Sequence, residues 1–79
     1  MTPAQCRAAR ALLGITQSQL ARAAKLGLST VVDFEKERRV VSEEAGKAIR
    51  TALERAGIEF MGDGGVGEGL FLRRRQKRT

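Results

Sequence analysis

The 79-residue sequence contains 15 lysines and arginines, nine aspartates and glutamates, one cysteine and no histidine, tryptophan or tyrosine. This length predicts one domain with a thin core, because so small a chain buries only about 60% of its unfolded surface. One cysteine cannot form an internal disulfide, and no apolar run approaches the ~20 residues of a membrane span. With no charged-then-apolar leader pattern, we expect a cytoplasmic protein that contacts no membrane.

The net charge of +6 is distributed unevenly along the chain. Residues 1–39 carry a net +4, residues 40–72 a net −3, and residues 73–79 a further +5. Positive charge concentrated at both ends favours a polyanionic partner more than it favours simple solubility.

The first helix is predicted to begin after Thr2 and to end near Gly14. Thr2 and Gln5 form a capping-box pattern, and Pro3 suits the first helical position. On a helical wheel, one apolar arc combines small and large side chains: Cys6, Ala8, Ala9, Leu12 and Leu13. We therefore expect an amphipathic helix with this arc against the core.

The next two helices are predicted to be short. A repeated capping-box pattern, Thr16 and Gln19, starts the second helix, which should run to about Ala24. A third helix is predicted over 28–36, with Val31 and Phe34 facing inward. Its opposite side carries Ser29, Val32, Asp33 and Lys36. Two short helices around a tight break predict a helix-turn-helix unit.

The fourth helix has the clearest pattern. Ser42 caps it, Glu43 and Glu44 suit its positive end, and Gly57 stands where a left-handed C-terminal residue is needed. Its apolar side is one continuous arc of Ala45, Ala48, Ile49, Ala52, Leu53 and Ala56.

After Gly57 the periodicity changes to that of strands. Residues 58–61 partly alternate, residues 62–69 contain five glycines, and residues 70–73 could form a returning strand. We predict a β-hairpin over 58–73 that supports a two-fold dimer, because a lone hairpin is marginal in water. The basic residues 74–79 are predicted to be a disordered tail. That tail could bind DNA, bind RNA or an acidic protein, or only solubilise the chain.

An ordered set of short motifs points to a family: Arg10-Ala11-Leu12-Leu13-Gly14-Ile15-Thr16-Gln17, Leu20-Ala21, Ser29-Thr30-Val31, Phe34-Glu35 and Arg38-Arg39. With these motifs, residues 4–57 resemble the lambda-repressor-like, Cro-type regulators, also called the xenobiotic-response-element family. The resemblance covers about two thirds of the chain. The expected fold is mainly α: a four-helix, lambda-repressor-like helix-turn-helix DNA-binding domain over residues 1–57, followed by a short C-terminal β-hairpin and the basic tail.

The resemblance also implies roles for matching positions. Gln17 would contact the phosphate backbone, and Arg10 and Glu35 match a pair that forms a salt bridge at the edge of the core. Further DNA contacts would come from the recognition helix and the loop after it: Leu28, Ser29, Thr30, Val32, Asp33, Lys36, Arg38 and Arg39. Lys25 stands at the turn position where the family usually has glycine, and a positive φ there would cost on the order of 1 kcal/mol. Glu37 replaces the usual glycine after the recognition helix and would bring negative charge near the DNA.

The predicted reading side lacks arginine, asparagine and glutamine, so the strongest bidentate base contacts are missing. Ser29 can donate or accept at a base edge, and Val32 could contact a thymine methyl or belong to the core. Asp33 could accept from a cytosine amino group or orient a neighbouring arginine. We therefore expect sequence specificity to come from the shape of the DNA, from water-mediated contacts and from apolar contacts to bases. A solvated loop is the alternative for Arg38 and Arg39, and a capping or surface role is the alternative for Gln17.

The residue inventory argues against an enzyme. There is no histidine and no metal-ligand cluster, the lone cysteine has no histidine partner, and the glycine-rich stretch lacks a phosphate-loop pattern. No cofactor is expected. Cys6 is expected to be a small buried apolar residue, with a redox-sensing thiol as the alternative.

The leading hypothesis is sequence-specific binding of double-stranded DNA by a small transcriptional regulator. It would act as a repressor and as a homodimer, with half-sites about 34 Å apart. The alternative is a protein-interaction module, such as the antitoxin of a toxin–antitoxin pair, in which the hairpin and tail would bind a partner protein. The two functions could coexist in one chain.

Overall fold

The computed structural model describes residues 1–61 and 69–72, except for the side chain of Phe71. These residues form α1 (Pro3–Leu13), α2 (Gln17–Ala24), α3 (Leu28–Lys36), α4 (Glu43–Arg55), β1 (Ile58–Phe60) and β2 (Leu70–Leu72). The prediction of a mainly helical fold with four helices is confirmed. Residues 62–68 and 73–79 lie outside the described residues, so the loop of the hairpin and the disordered tail at 74–79 stay predictions. Within the described part, no helix is long and apolar enough to cross a bilayer.

Side-chain caps begin three of these four helices. Thr2 and Thr16 each accept a hydrogen bond from the backbone N–H three residues on, and a glutamine returns the bond, so both predicted capping boxes are present. Ser42 caps α4 through the N–H of Ala45 at 3.0 Å. Each cap satisfies an N–H that a helix start leaves unpaired. Helix α3 begins at Gly27 without a side-chain cap, so its first turn depends more on packing.

Two helices end in left-handed turns without glycine. Gly14 ends α1 at φ 71°, whereas Lys25 (φ 60°) and Glu37 (φ 56°) end α2 and α3 in the same conformation. That conformation costs an L-residue about 1–2 kcal/mol. Each turn still satisfies terminal carbonyls, and after α3 the N–H of Arg38 donates to the carbonyl of Asp33 at 3.0 Å. Helix α3 is therefore bracketed by two strained turns.

The buried core draws on all four helices and on β1. Its members are Cys6, Ala9, Leu20, Ala21, Ala24, Val31, Ile49, Leu53 and Ile58. Helix α2 contacts both α3 and α4. The small side chains on its buried side, Ala21 and Ala24, allow these helices to approach closely.

On both α1 and α4, the apolar arc predicted from the sequence includes residues that the structure leaves exposed. Leu12 is 48% exposed and Ala8 is exposed, so the expectation that the whole arc of α1 packs against the core was wrong; Ala56, at the end of the arc of α4, is exposed as well. A helical wheel gives the direction of a side chain but not whether a neighbouring element covers it. Gln5, a polar residue that points in the direction of the arc of α1, is buried and completes the N-terminal cap of α1.

The two strands pair antiparallel and lie on the helices. Ile58 stands opposite Leu72, and Phe60 stands opposite Leu70. Strand β1 contacts α4, and β2 contacts α1. The guanidinium of Arg50 on α4 lies over the ring of Phe60, 5.0 Å from its centre, which adds a cation–π contact between helix and strand.

Candidate nucleic-acid interface

Helices α2 and α3, with the turn at residues 25–27, form the helix-turn-helix unit. Helix α3 covers 28–36, the range predicted from the sequence, and it buries Val31 and Glu35 against the rest of the domain. Phe34 packs against the same core while keeping part of its surface in solvent. These three side chains define the inner side of α3.

The outer side of α3 carries the residues that the sequence predicted to contact DNA. Ser29 and Lys36 are exposed, and Leu28 is 47% exposed. Thr30 and Val32 are half-buried and lie outside the buried core. A helix whose outer side is left uncovered in this way has the form that the major groove admits.

The loop after α3 adds two exposed arginines, Arg38 and Arg39. Arg39 folds back onto α3, where its Nε donates to Oδ2 of Asp33 at 2.8 Å. The Asp33 side chain is 20% exposed, and the Arg39 side chain is 53% exposed. One of the two sequence interpretations of Asp33, that it orients a neighbouring arginine, therefore matches the structure. The phosphate contacts predicted for both arginines stay predictions.

Gln17 is the first residue of α2 and is half-buried. Its Nε2 donates to Oε1 of Glu35 on α3 at 3.0 Å, so the side chain is held between the two helices. The unpaired backbone N–H groups at the start of a helix are an anion site when they face solvent. The phosphate contact predicted for Gln17 stays a prediction.

Glu35 is only 1% exposed, and its carboxylate joins three helices. Arg10 donates to it through Nε at 2.7 Å and Nη2 at 2.8 Å, which confirms the salt bridge implied by the resemblance. The Cys6 thiol donates at 3.1 Å, and Gln17 adds its amide. Arg7 donates to the main-chain carbonyl of Glu35. A buried carboxylate stays charged when it is paired and hydrogen-bonded in this way.

The ionisation of this cluster follows from its contacts. Burial alone would raise the pKa of Glu35, but hydrogen bonds from Arg10, Cys6 and Gln17 outweigh it and lower the pKa below its ordinary value. The hydrogen bond to Glu35 raises the pKa of Arg10. Burial, reinforced by Glu35, raises the pKa of the Cys6 thiol well above its usual range. The predicted burial of Cys6 is confirmed, and a protonated, enclosed thiol is a poor redox sensor.

Sequence reasoning missed two of the hydrogen-bond donors to Glu35. The thiol of Cys6 and the amide of Gln17 meet Glu35 across 29 and 18 positions, and no local pattern signals contacts over such distances. The sequence analysis offered a neighbouring arginine as the partner of Asp33 without saying which one, and the structure shows Arg39, six positions on and beyond the end of α3. A helical wheel gives side-chain directions only within the helix, so the left-handed turn at Glu37 was the one signal that could have identified Arg39 as the partner of Asp33.

A comparison with models of protein families gives a match that extends over most of the chain. A family model described as Helix-turn-helix matches residues 7–58. A search of the curated proteins gives no match. The matched range covers about two thirds of the chain, includes all of α2, α3 and α4, and contains every residue of the predicted interface. The chain therefore belongs to the lambda-repressor-like, Cro-type helix-turn-helix family of DNA-binding regulators.

Proposed function

We propose that the protein is a transcriptional repressor that binds a specific duplex DNA sequence as a homodimer, with α3 of each protomer in the major groove. The observation that carries this proposal is the uncovered outer side of α3. A single helix fits the major groove, where every base pair presents a distinct pattern of donors and acceptors. Lys36 on α3 and Arg38 and Arg39 in the loop after it are exposed cations, which suit an anionic partner such as DNA.

The side chains of the outer side suit base edges more than they suit phosphates. The hydroxyls of Ser29 and Thr30 can donate to or accept from bases, and Leu28 and Val32 can contact thymine methyl groups. Gln17, at the start of α2, would hold a phosphate beside these contacts. Because few of these side chains are strong hydrogen-bond donors, the shape of the DNA and ordered water molecules would supply part of the sequence specificity.

Pairing within the protein removes most of the negative charge that α3 would bring to DNA. Glu35 is paired with Arg10, and Asp33 is paired with Arg39. Two carboxylates that would repel phosphates are thereby matched by cations. Lys36 and Arg38 have no carboxylate partner among residues 1–61 and 69–72. This side of the domain is therefore electrostatically compatible with the DNA backbone.

The homodimer part of the proposal draws on the edge of β2. Met61 donates its N–H to Gly69 at 2.8 Å. Since hydrogen-bonded pairs alternate along an antiparallel ladder, the main-chain groups of Leu70 and Leu72 point away from β1. Leu72 is also 41% exposed. These groups make no backbone hydrogen bond within residues 1–61 and 69–72, and a strand edge of this kind with apolar side chains is a template for pairing with a second copy.

DNA binding is tested by selecting duplexes from a random pool and measuring affinity for the winner across salt concentrations. Replacing both Arg38 and Arg39 by alanine should weaken binding and make the log–log salt slope shallower by about 0.9 for each phosphate that is no longer neutralised. A matched control replaces Lys47 and Arg55, two exposed cations of α4, by alanine. We expect a smaller loss of affinity from the control, and an unchanged slope in the Arg38/Arg39 variant would contradict the proposal.

Dimerisation is tested by sedimentation of the full chain over a range of concentrations. Leu72→Pro removes an N–H that points away from β1, so it should weaken the dimer while leaving the bonds between β1 and β2 in place. Leu72→Ala keeps that N–H and serves as its control. A wild-type chain that stays monomeric at all concentrations contradicts the homodimer, and a Leu72→Pro dimer of unchanged affinity contradicts the role of β2. Repression is read as reduced transcription from a promoter that contains the selected site.

A further inference from the structure

The C-terminal end of α3 folds back onto Asp33. Glu37 adopts the left-handed conformation at φ 56°, and the next N–H, from Arg38, donates to the main-chain carbonyl of Asp33 at 3.0 Å. Arg39 then reaches back, and its Nε donates to Oδ2 of the Asp33 carboxylate at 2.8 Å. Two consecutive loop residues therefore hold both the main chain and the side chain of Asp33.

The bond to Asp33 uses only one of the five N–H donors of the Arg39 guanidinium. The four donors on its terminal nitrogens have no partner among residues 1–61 and 69–72, and the side chain is 53% exposed. Asp33 lies one helical turn beyond Ser29, and residues at that spacing are neighbours on the helix surface. The planar guanidinium is thus held beside the outer side of α3 with its terminal donors available.

The pairing suits a base contact better than a phosphate contact. A phosphate attracts an arginine through its charge, and a neighbouring carboxylate weakens that attraction. A guanine instead offers O6 and N7 to a planar fork, and this bidentate contact depends on how the fork is oriented. The half-buried Asp33 supplies such orientation, and it reduces the rotamer freedom that Arg39 would lose on binding.

We propose that Asp33 and Arg39 form a guanine-reading unit of the protein. Arg39 supplies the bidentate base contact that the side chains of α3 themselves lack, and Asp33 is the positioning residue that aims it. This inference rests on the proposed function, since it requires α3 to lie in the major groove. It changes the source of specificity, because one direct base contact joins the shape-dependent and water-mediated contacts.

The test compares the wild-type chain with Arg39→Lys and Asp33→Ala. Each is offered the selected duplex and versions in which one guanine at a time is replaced. We expect the wild type to favour one guanine by roughly 5- to 150-fold, the range for a good bidentate contact, and both variants to lose most of that preference. Arg39→Lys keeps the charge, so its salt slope should stay that of the wild type. Asp33→Ala should bind random duplexes at least as tightly as the wild type, because it removes a negative charge.

Arg55→Lys, an exposed arginine of α4, is the matched control and should keep the guanine preference. Thermal unfolding confirms that each variant is folded, which we expect because exposed ion pairs contribute little to stability. If the wild type selects a sequence and both variants keep the same guanine preference, Arg39 contacts phosphate only and the proposal is wrong. If the wild type discriminates among no duplexes, the proposed function fails and the guanine-reading unit fails with it.

Discussion

Replacing Glu35 by glutamine tests whether one buried carboxylate holds three helices together. Its two oxygens accept four hydrogen bonds at 2.7–3.1 Å, two from Arg10 and one each from Gln17 and Cys6. Glutamine has the same size, but its NH₂ group cannot accept a hydrogen bond. Each oxygen accepts two of the four bonds, so either orientation of the amide leaves two donors without an acceptor. Arg10 also loses its counter-ion.

The expected cost follows from burial. Removing one partner of a buried ion pair destabilises a protein by about 3–5 kcal/mol. The Arg10 side chain is 21% exposed, so water solvates part of its charge and we expect the lower end, about 3 kcal/mol. A chain of 79 residues has a total stability of about 4–12 kcal/mol at 0.05–0.15 kcal/mol per residue. The substitution should therefore remove a large share of the free energy of unfolding.

Urea unfolding followed by circular dichroism measures this change in stability. The control is Glu54→Gln, which breaks the exposed pair that Glu54 makes with Arg50 at 2.9 Å within α4. That pair is 38–44% exposed, and its removal should cost less than about 0.5 kcal/mol. If Glu35→Gln costs no more than Glu54→Gln, the carboxylate does not hold the helices together and the reasoning is refuted.

Three further predictions concern strain, pH and thiol chemistry. Lys25→Gly and Glu37→Gly should each raise the free energy of unfolding by about 0.5–1 kcal/mol, since relief of left-handed strain exceeds the added entropy of the unfolded chain; a decrease in stability in urea melts contradicts this. The pKa of Glu35 is lowered in the folded state, so the stability that its ionised carboxylate adds is present above about pH 5 and is lost as the pH falls below about 4. A melting temperature as high at pH 3 as at pH 6 would refute this prediction. The enclosed Cys6 thiol should react with a thiol reagent only on unfolding, and rapid labelling of the native chain would contradict its burial.

The parts of the fold that depend on local chemistry were predictable from the sequence. Thr2, Thr16 and Ser42 mark helix starts because a hydroxyl that caps an N–H acts over three residues. The bounds of α3 followed from its apolar spacing and the break before it. Leu12 was misplaced because its exposure depends on what packs against α1, which no spacing within α1 reports.

The predictability of the site divides in the same way. Its outer residues could be proposed from the position of α3 in the helix-turn-helix pattern, and the pair of Arg10 and Glu35 came from the family resemblance. The further donors to Glu35 come from distant parts of the chain. The contact of Asp33 with Arg39 depends on the turn at Glu37, where a non-glycine residue takes a conformation that its side chain disfavours.

The two sides of helix α3 have different roles: one packs against the domain, and the other is exposed. Val31 and Glu35 secure it to the domain, while Leu28, Ser29 and Lys36 contribute little to the core. Randomising those three outward positions should thus yield a library whose members mostly still fold, so new target sequences could be sought on this scaffold without first repairing its stability.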